Sequence, residues 1–267
     1  MLDAQDGEPA GGLLPRGFFA GSSLAVAPRL LGCVLEHATG EGLVAVALTE
    51  VEAYNGSADP ASHAYRGRTG RNAVMFGGPG HAYVYFTYGM HFCVNLVCRP
   101  EGTASAVLLR AGRVIEGIPL AAARRAAGRI GAGRRAGGPG DPGGPADRGQ
   151  PTAVAAPGVL SPAVERELAR GPARLCQALG IERGLDGADV CDPGSPLRIR
   201  PAPEVGSGRP VPEISHGPRV GISAAADRPW RFWLTGDPTV SAYRPYARRA
   251  RPEVISPPAG EDGTMHR

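Results

Sequence analysis

The sequence predicts an α+β protein in a single domain, and three observations support this. Strand patterns come first, as an alternating run at residues 43–54 and an aromatic-rich strand with its return strand at 82–98. Helix signals follow, with a Ser-Pro capping pair at 161–162 and a helix at 173–179 that stops at a glycine. Between them, residues 128–158 consist mainly of Gly, Pro, Arg and Ala. Because strand and helix patterns resume afterwards, this segment reads as an insert within one domain rather than a linker between two.

Composition sets the extent of the folded part. The chain has 267 residues, enough for a sizeable core, but its 27 prolines and 40 glycines are well above average use. We therefore expect a packed domain at residues 13–247, disordered tails at 1–12 and 248–267, and a disordered insert at 128–158.

The first predicted elements are a short helix and a β-hairpin. A serine pair at 22–23 can cap a helix that ends by Gly32, and Pro28 should kink or shorten it. Residues 33–36 are typical of a strand, and the run TGEG at 39–42 is typical of the turn that leads into the strand 43–54.

The remaining elements are shorter or less regular. A strand is expected at 103–113, a short alanine- and arginine-rich helix at 120–127, and a strand at 197–200. Residues 217–222 are expected to begin another element. The run WRFWL at 230–234 predicts the closing strand.

The charge pattern permits a polyanionic partner and excludes one kind of chemistry. Net charge is +4, and every one of the 29 basic residues is arginine. A mild positive excess allows binding to nucleic acid without requiring it. Because the chain contains no lysine, a lysine Schiff base is excluded.

Five scattered cysteines form no Cys-x-x-Cys pair, so neither a disulfide framework nor a zinc site is indicated. The acidic N-terminus lacks the pattern of a signal peptide, and no apolar run approaches the length of a membrane span. We therefore expect a reduced, cytoplasmic protein that does not contact membranes.

The strand at 43–54 carries two carboxylates. Period-two alternation places on one face Val44, Val46, Leu48, Glu50, Glu52 and Tyr54. If buried, the Glu50 and Glu52 pair would raise the pKa of at least one carboxyl through desolvation and like-charge repulsion. The pattern equally fits a strand that runs out into solvent with charged ends.

A long irregular connection follows at residues 55–80. It contains His63 and a basic run with Arg66, Arg68 and Arg71. Loops this long are usually functional, and arginines separated by small residues can meet phosphates. The alternative is a solvated basic loop, and a lone histidine such as His63 is more often structural than catalytic.

The hairpin at 82–98 has an unusual turn, because Tyr88 and Met90 flank Gly89 where small polar residues are normal. Exposed apolar tips usually have a partner. One use is a wedge pushed between base steps from the minor groove of DNA. Packing of the tip against its own domain remains the alternative.

Five motifs in order carry a resemblance to a known family. They are EVEAY at 50–54, RN at 71–72 with MF at 75–76, PG at 79–80 with YVY at 83–85 and YGM at 88–90, VLLRA at 107–111, and GPARLCQAL at 171–179. In this combination the chain resembles the alkylpurine (3-methyladenine) DNA glycosylase family of mammals and many bacteria, over roughly residues 13–243. The resemblance implies a curved, mostly antiparallel sheet with flanking helices and a β-hairpin that protrudes into the DNA minor groove.

The resemblance also implies roles for residues of a reaction centre. Glu52 is similar to the carboxylate that activates water, and Arg110 to the arginine that helps to hold this water. The base pocket is implied at four further positions, namely Tyr54, His63, Tyr85 and Asn95, of which Asn95 disfavours the amine of normal guanine.

The remaining implied roles concern DNA contact. Tyr88 resembles the side chain inserted where the base was, with Met90 beside it. Arg71, Asn72 and Tyr83 are expected at the DNA backbone. Gly70 departs from the proline of the family pattern, which loosens this loop.

The function implied is that of a monofunctional DNA glycosylase of base excision repair. It would act as a nucleoid-associated monomer on double-stranded DNA containing an alkylated or deaminated purine, without cofactor or metal, and leave an abasic site. A binding module for damaged DNA or RNA is the alternative, although such a module has no need of Glu52 beside a polyanion. A metal hydrolase using His63, His81 and Glu52 is disfavoured because their spacing matches no helix-borne ligand pair.

Overall fold

The computed structural model describes residues 12–87, 89–135, 160–203 and 212–246. Within these ranges, eight antiparallel strands form one open sheet, with helices beside it. This confirms the predicted α+β class. The strands are β1 (Val34–Thr39), β2 (Gly42–Tyr54), β3 (Ala82–Thr87), β4 (His91–Val97), β5 (Ala106–Glu116), β6 (Leu197–Arg200), β7 (Ile214–Gly217) and β8 (Arg231–Leu234). The helices are α1 (Ser23–Val26), α2 (Ile118–Arg135), α3 (Pro162–Glu167) and α4 (Pro172–Leu179).

The sheet is organised around β2, its longest strand. The main strand order is β3-β4-β5-β2-β1-β6. One edge of β2 pairs with β5, whereas the other edge pairs first with β1 and then, near its end, with β8. The last residues of β2 are therefore flanked on both sides, which places them inside the protein.

The core lies where α1 and α4 pack on the sheet. From Val44 to Ala53 every residue of β2 is buried, so both faces of this strand are covered. Leu175 and Leu179 of α4 are fully buried and belong to the same apolar cluster as Leu48 of β2. Burying such side chains contributes about 1.5–3 kcal/mol each, which anchors α4 against the sheet.

Local sequence patterns correctly predicted where the short helices α1 and α4 lie. The Ser22 side chain caps α1 by accepting from the Ala25 amide, and the helix changes at Val26 to a 3₁₀ turn, Ala27–Leu30, that contains Pro28. At the other helix, Gly180 ends α4 with φ +70°, a conformation that glycine adopts at little cost.

Two expectations about elements were wrong. Helix α2 does not stop at residue 127 but continues to Arg135, so the first eight residues of the predicted disordered insert are helical. A Cβ on Gly128 would lie 3.0 Å from the Gln177 side chain, so this glycine allows α2 to approach α4 closely. Residues 217–222 do not begin an element, because β7 ends at Gly217. Residues 136–159 and both predicted tails, apart from Gly12, fall outside the described ranges.

The connection between β2 and β3 is less irregular than its composition suggests. It contains the 3₁₀ turns Gly56–Ala58 and Gly70–Phe76. Gly56 has φ +58°, and a Cβ there would lie 2.0 Å from the Ala104 carbonyl oxygen. Only glycine therefore fits at the turn that leaves β2.

No helix in the described part of the chain is long and apolar enough to cross a membrane.

Candidate active site

Both carboxylates at the end of β2 are buried. Glu50 and Glu52 are each 0% exposed, so the alternative of a strand running out into solvent is wrong. β5 and β8 pair with the two edges of this segment, and the carboxylates are contacted by side chains of those strands and by the segments at Val220 and Ser241. Glu50 lies opposite Trp233, and Glu52 lies opposite Arg231.

Three donors surround the Glu52 carboxylate. The Val220 amide donates to Oε1 at 2.7 Å, and the Tyr54 hydroxyl donates to Oε2 at 2.9 Å. Arg110 Nη1 lies 3.3 Å from Oε1. Since an ionised carboxylate offers about four acceptor positions, one position on Oε2 is left for a further donor.

Glu50 has a different environment with more donors. Its Oε1 accepts from Arg110 Nε at 2.9 Å, from Arg231 Nε at 2.7 Å and from the Ser241 hydroxyl at 2.9 Å, while Oε2 accepts from the Ser241 amide at 2.7 Å. Burial alone would raise the pKa of Glu50, but the two arginines and Ser241 outweigh it, and this pKa lies below its ordinary value. The pKa increase expected for at least one carboxyl therefore does not occur at Glu50.

Arg110 connects the two carboxylates. It lies on β5, is 6% exposed, and directs Nε to Glu50 and Nη1 to Glu52. Burial acts to lower the pKa of Arg110, but the charges of Glu52 and Glu50 raise it above its ordinary value. The guanidinium is therefore a permanent positive charge beside Glu52, where the sequence placed it.

A cavity of about 380 Å³ lies against this cluster. The four residues expected to form a base pocket, Tyr54, His63, Tyr85 and Asn95, all line it, and so does Arg110. The volume falls within the range of about 300–1,000 Å³ for small-molecule pockets. The loop before β8 and the first turn of α4 close the remaining sides of the cavity.

Three rings form one wall of the cavity. Tyr83 and Tyr85 stack with ring centroids 5.5 Å apart, and His63 meets Tyr85 edge-on at 4.6 Å. His63 Nδ1 lies 3.1 Å from the Tyr83 hydroxyl. Part of the imidazole is exposed, but burial of the rest and the charge of Arg71 lower the pKa of His63. The imidazole is therefore neutral at pH 7.

Polar groups at the base of the cavity are held by β4. Asn95 is 5% exposed, and its Nδ2 donates to the Tyr83 carbonyl at 3.3 Å. The pKa of Tyr85 lies well above its ordinary value. Burial is the main cause and the neighbouring Cys93 is the second, so the phenol stays neutral. The wall therefore carries no charge of its own at neutral pH.

Two residues expected at the DNA backbone have other positions. Tyr83 is 1% exposed, with its hydroxyl directed at His63, and Asn72 is 3% exposed. Asn72 accepts from the Thr69 amide and donates to the carbonyls of His63 and Gly67. Direct phosphate contact does not fit these placements, because both side chains face the protein interior. They instead hold the loop that carries His63.

The other expected DNA contacts lie at the surface. Arg71 is exposed, and its Nη2 donates to the Phe86 carbonyl at 3.3 Å, near the end of β3. Met90 at the hairpin turn is 58% exposed. Tyr88 lies outside the described residues, so its wedge role stays a prediction.

The metal-hydrolase alternative finds no support in the described part of the chain. No group of three or more His, Cys, Asp or Glu residues there could hold a metal ion. His81 directs Nδ1 to the Gly78 carbonyl at 2.9 Å and does not line the cavity with His63.

Sequence reasoning missed several residues of the site. Four residues from the last third of the chain lie next to a β2 carboxylate or its partners. They are Arg219, Val220, Arg231 and Ser241. Their local patterns carry no sign of this role. The pairing of β8 with the end of β2 brings them there, and a strand signal at 230–234 does not specify a partner.

Comparison with known proteins identifies relatives along most of the chain. The family model for methylpurine-DNA glycosylase matches residues 17–238. A protein of Streptomyces avermitilis is 49% identical over 255 residues, which cover 94% of this chain and 99% of that protein. A protein of Leifsonia xyli subsp. xyli is 48% identical and covers 86% of this chain and 92% of its own length. A protein of Mycobacterium tuberculosis is 43% identical, with 84% and 91% covered. All three carry the provisional name 3-methyladenine DNA glycosylase.

Proposed function

This chain belongs to the methylpurine-DNA glycosylase family, and from that premise we propose that it flips alkylated or deaminated purines out of duplex DNA and hydrolyses their N-glycosidic bonds. The observation that carries this proposal is the buried Glu52 carboxylate beside an aromatic cavity. Glu52 keeps one acceptor position while Arg110, Tyr54 and Val220 fix its orientation.

The cavity suits a flat, electron-poor base. Tyr54, His63 and Tyr85 offer ring faces and edges, and stacking contributes about 1–3 kcal/mol per base. Alkylation makes a purine cationic, so a neutral imidazole at His63 is better tolerated than a charged one. Asn95 at the base of the cavity is the group that disfavours the exocyclic amine of normal guanine.

Entry of the base requires that it leave the helical stack. Damaged bases pair weakly, which lowers the cost of extrusion and adds selectivity. The exposed Met90 lies at the hairpin turn, where an apolar wedge can fill the gap left by the base, and we assign the wedge role itself to Tyr88. The exposed Arg71 is placed to contact a phosphate near this turn.

The reaction needs only a water and the residues on β2 and β5. Glu52 accepts a proton from water through its remaining position on Oε2, and the resulting hydroxide attacks C1′ of the sugar. The sugar passes through an oxocarbenium-like transition state, which the carboxylate also stabilises. The purine leaves with the electrons of the C1′–N bond. A cationic alkylated purine leaves readily as a neutral base, whereas a deaminated purine leaves as an anion that takes a proton from water. Without lysine, the β-elimination route of a glycosylase/lyase lacks its usual amine, so the product is an abasic site.

Duplex oligonucleotides that each carry one damaged purine test the proposal directly. The products are analysed with and without alkali after incubation with the protein. Strand breaks only after alkali are expected, because a monofunctional glycosylase leaves the backbone intact. Breaks without alkali would indicate a lyase, and binding with no breaks under either treatment would indicate a binding module.

A further inference from the structure

Among the described residues, Arg219 is the largest side chain that is fully buried, and it forms a two-pronged ion pair with Asp59. Nη1 and Nη2 lie 2.5 and 2.8 Å from Asp59 Oδ2 and Oδ1, and neither side chain is exposed. Nη1 also donates to the Ala53 carbonyl at 3.0 Å. This bidentate geometry fixes the guanidinium relative to the carboxylate and to β2.

Arg219 is directly connected to two of the groups that hold Glu52. The amide of the next residue, Val220, donates to Glu52 Oε1 at 2.7 Å. The guanidinium lies over the Tyr54 ring, 4.5 Å from its centroid, and the Tyr54 hydroxyl donates to Glu52 Oε2. Ala53, whose carbonyl accepts from Arg219, lies between Glu52 and Tyr54 in β2.

Asp59 fixes the opposite side of the pair. Its carboxylate accepts from the backbone amides of Asn55 at 3.3 Å and Ala61 at 3.1 Å, and Ala61 lines the cavity. The ion pair therefore joins the loop that leads from β2 towards His63 to the loop before β8. Both loops contribute walls to the base cavity.

Neither net charge nor stability alone accounts for this pair. Asp59 neutralises Arg219, so the pair adds little net charge near Glu52. A buried ion pair often stabilises a fold no more than apolar residues of the same volume. What the pair does supply is geometry, because it fixes a backbone amide and an aromatic ring that both contact Glu52.

We propose that Arg219 and Asp59 are positioning residues that set the Val220 amide and the Tyr54 hydroxyl on Glu52, and so orient the carboxylate for activating water. This inference rests on the function proposed above. It assigns to the pair an effect on the rate of base excision, separate from any effect on DNA binding.

The test uses Asp59→Asn and Arg219→Lys, which keep the size or the charge of the side chain but lose the two-pronged geometry. Excision is measured in a single turnover with saturating protein, on the lesion duplex that the wild-type protein cleaves fastest. Both variants should slow excision by roughly 10- to 100-fold, since a displacement of about 1 Å can cost about that factor. The Kd for the same duplex should change by a smaller factor than the excision rate, because neither Arg219 nor Asp59 lines the cavity itself.

A double variant separates positioning from general weakening of the fold. If Asp59 acts through Glu52, Glu52→Gln combined with Asp59→Asn should excise at the same residual rate as Glu52→Gln alone. A merely structural role would lower that residual rate again by the factor seen for Asp59→Asn. Glu36→Gln is the matched control, because Glu36 is 6% exposed and pairs with Arg198 and Arg200 on the β1–β6 side of the sheet. It should lower the melting temperature without slowing excision.

Wild-type excision rates in both variants would overturn the inference, and so would a further loss in the double variant. Should Arg219→Lys fail to fold by circular dichroism, Asp59→Asn decides alone, because asparagine has the shape of aspartate. A folded wild-type protein that excises no damaged purine would overturn the proposed function itself. That outcome differs from an active wild-type protein whose variants are equally active.

Discussion

Two carboxylates on one strand face, Glu50 and Glu52, lie in contrasting surroundings. Both are 0% exposed and both contact Arg110. Glu50 has four hydrogen bonds, from two arginines and from the Ser241 amide and hydroxyl. Glu52 has one charged neighbour, one phenol and one amide, and it lies behind residues that line the cavity.

The difference shows that burial and charge do not by themselves mark a reactive group. Glu50 accepts four hydrogen bonds from groups of the fold, and of its partners only Arg110 lines the cavity, so it contributes structure and orients Arg110. All three partners of Glu52, namely Tyr54, Arg110 and Val220, line the cavity. Contact with cavity-lining groups therefore distinguishes the surroundings of Glu52 from those of Glu50.

Glu52→Gln should have the largest effect on catalysis. Glutamine keeps the size of the side chain but cannot accept a proton from water, so single-turnover excision should slow by at least roughly 100-fold. Binding of the lesion duplex should persist, because the cavity is unchanged. Near-normal excision by a folded Glu52→Gln protein would remove Glu52 from the reaction.

Glu50→Gln should instead act mainly on stability. It leaves Arg231 and one side of Arg110 buried without their carboxylate, and breaking a buried ion pair costs about 3–5 kcal/mol. Urea unfolding should therefore show a loss of this size, with a smaller loss of excision through Arg110. An unchanged unfolding free energy together with lost excision would reverse the roles assigned to the two carboxylates.

The pH dependence of stability sharpens the same contrast. The pKa of Glu50 in the folded protein lies below its ordinary value, so ionised Glu50 stabilises the fold above about pH 4.3. This contribution should be lost as the pH falls through the lowered pKa. Between about pH 5 and pH 3, the free energy of unfolding should therefore fall less steeply for Glu50→Gln than for the wild-type protein.

Much of this architecture could be predicted because its signals are local. Period-two alternation predicted β2 to within one residue, the Ser22 cap located the start of α1, and Gly180 located the end of α4. The extension of α2 was not predicted, because residues 128–135 are rich in glycine and arginine and carry no apolar periodicity, whereas contacts with α4, such as that of Gly128 with Gln177, form only in the folded chain. The partner of β8 was unpredictable for the same reason.

The residues of the site also divide into those that motifs predict and those that only the folded chain brings together. Glu52 and Arg110 followed from motifs on neighbouring strands, and the structure brings them within 3.3 Å. Tyr83 and Asn72 were expected at the DNA backbone and are buried instead, because burial depends on which parts of the fold pack over a side chain. Arg219 and Asp59 are 160 residues apart, so only the folded chain reveals their pairing.

Tyr54→Phe should have a moderate effect. It removes the hydroxyl that donates to Glu52 Oε2 at 2.9 Å but keeps the ring that lies against Arg219 and lines the cavity. A hydrogen bond to a charged group is worth at least about 1.5 kcal/mol, and the lower end of this range corresponds to roughly tenfold slower single-turnover excision. Lesion binding should change little, and a loss of binding without a loss of rate would assign Tyr54 to base recognition alone.

Arg71→Gln should have the smallest effect, and it concerns His63, which lines the cavity. Burial is the main cause of the lowered pKa of His63 and the charge of Arg71 is the second, so the variant should raise this pKa but leave it below about 6.5. The imidazole should then become protonated at a higher pH than in the wild-type protein. Because a charged imidazole repels a cationic base, binding of a duplex with 7-methylguanine should weaken more on going from pH 7.5 to pH 6 than binding of one with neutral hypoxanthine. Titration of the His63 ring by NMR measures the pKa, and an unchanged or lowered value would show that Arg71 does not act on His63 through its charge.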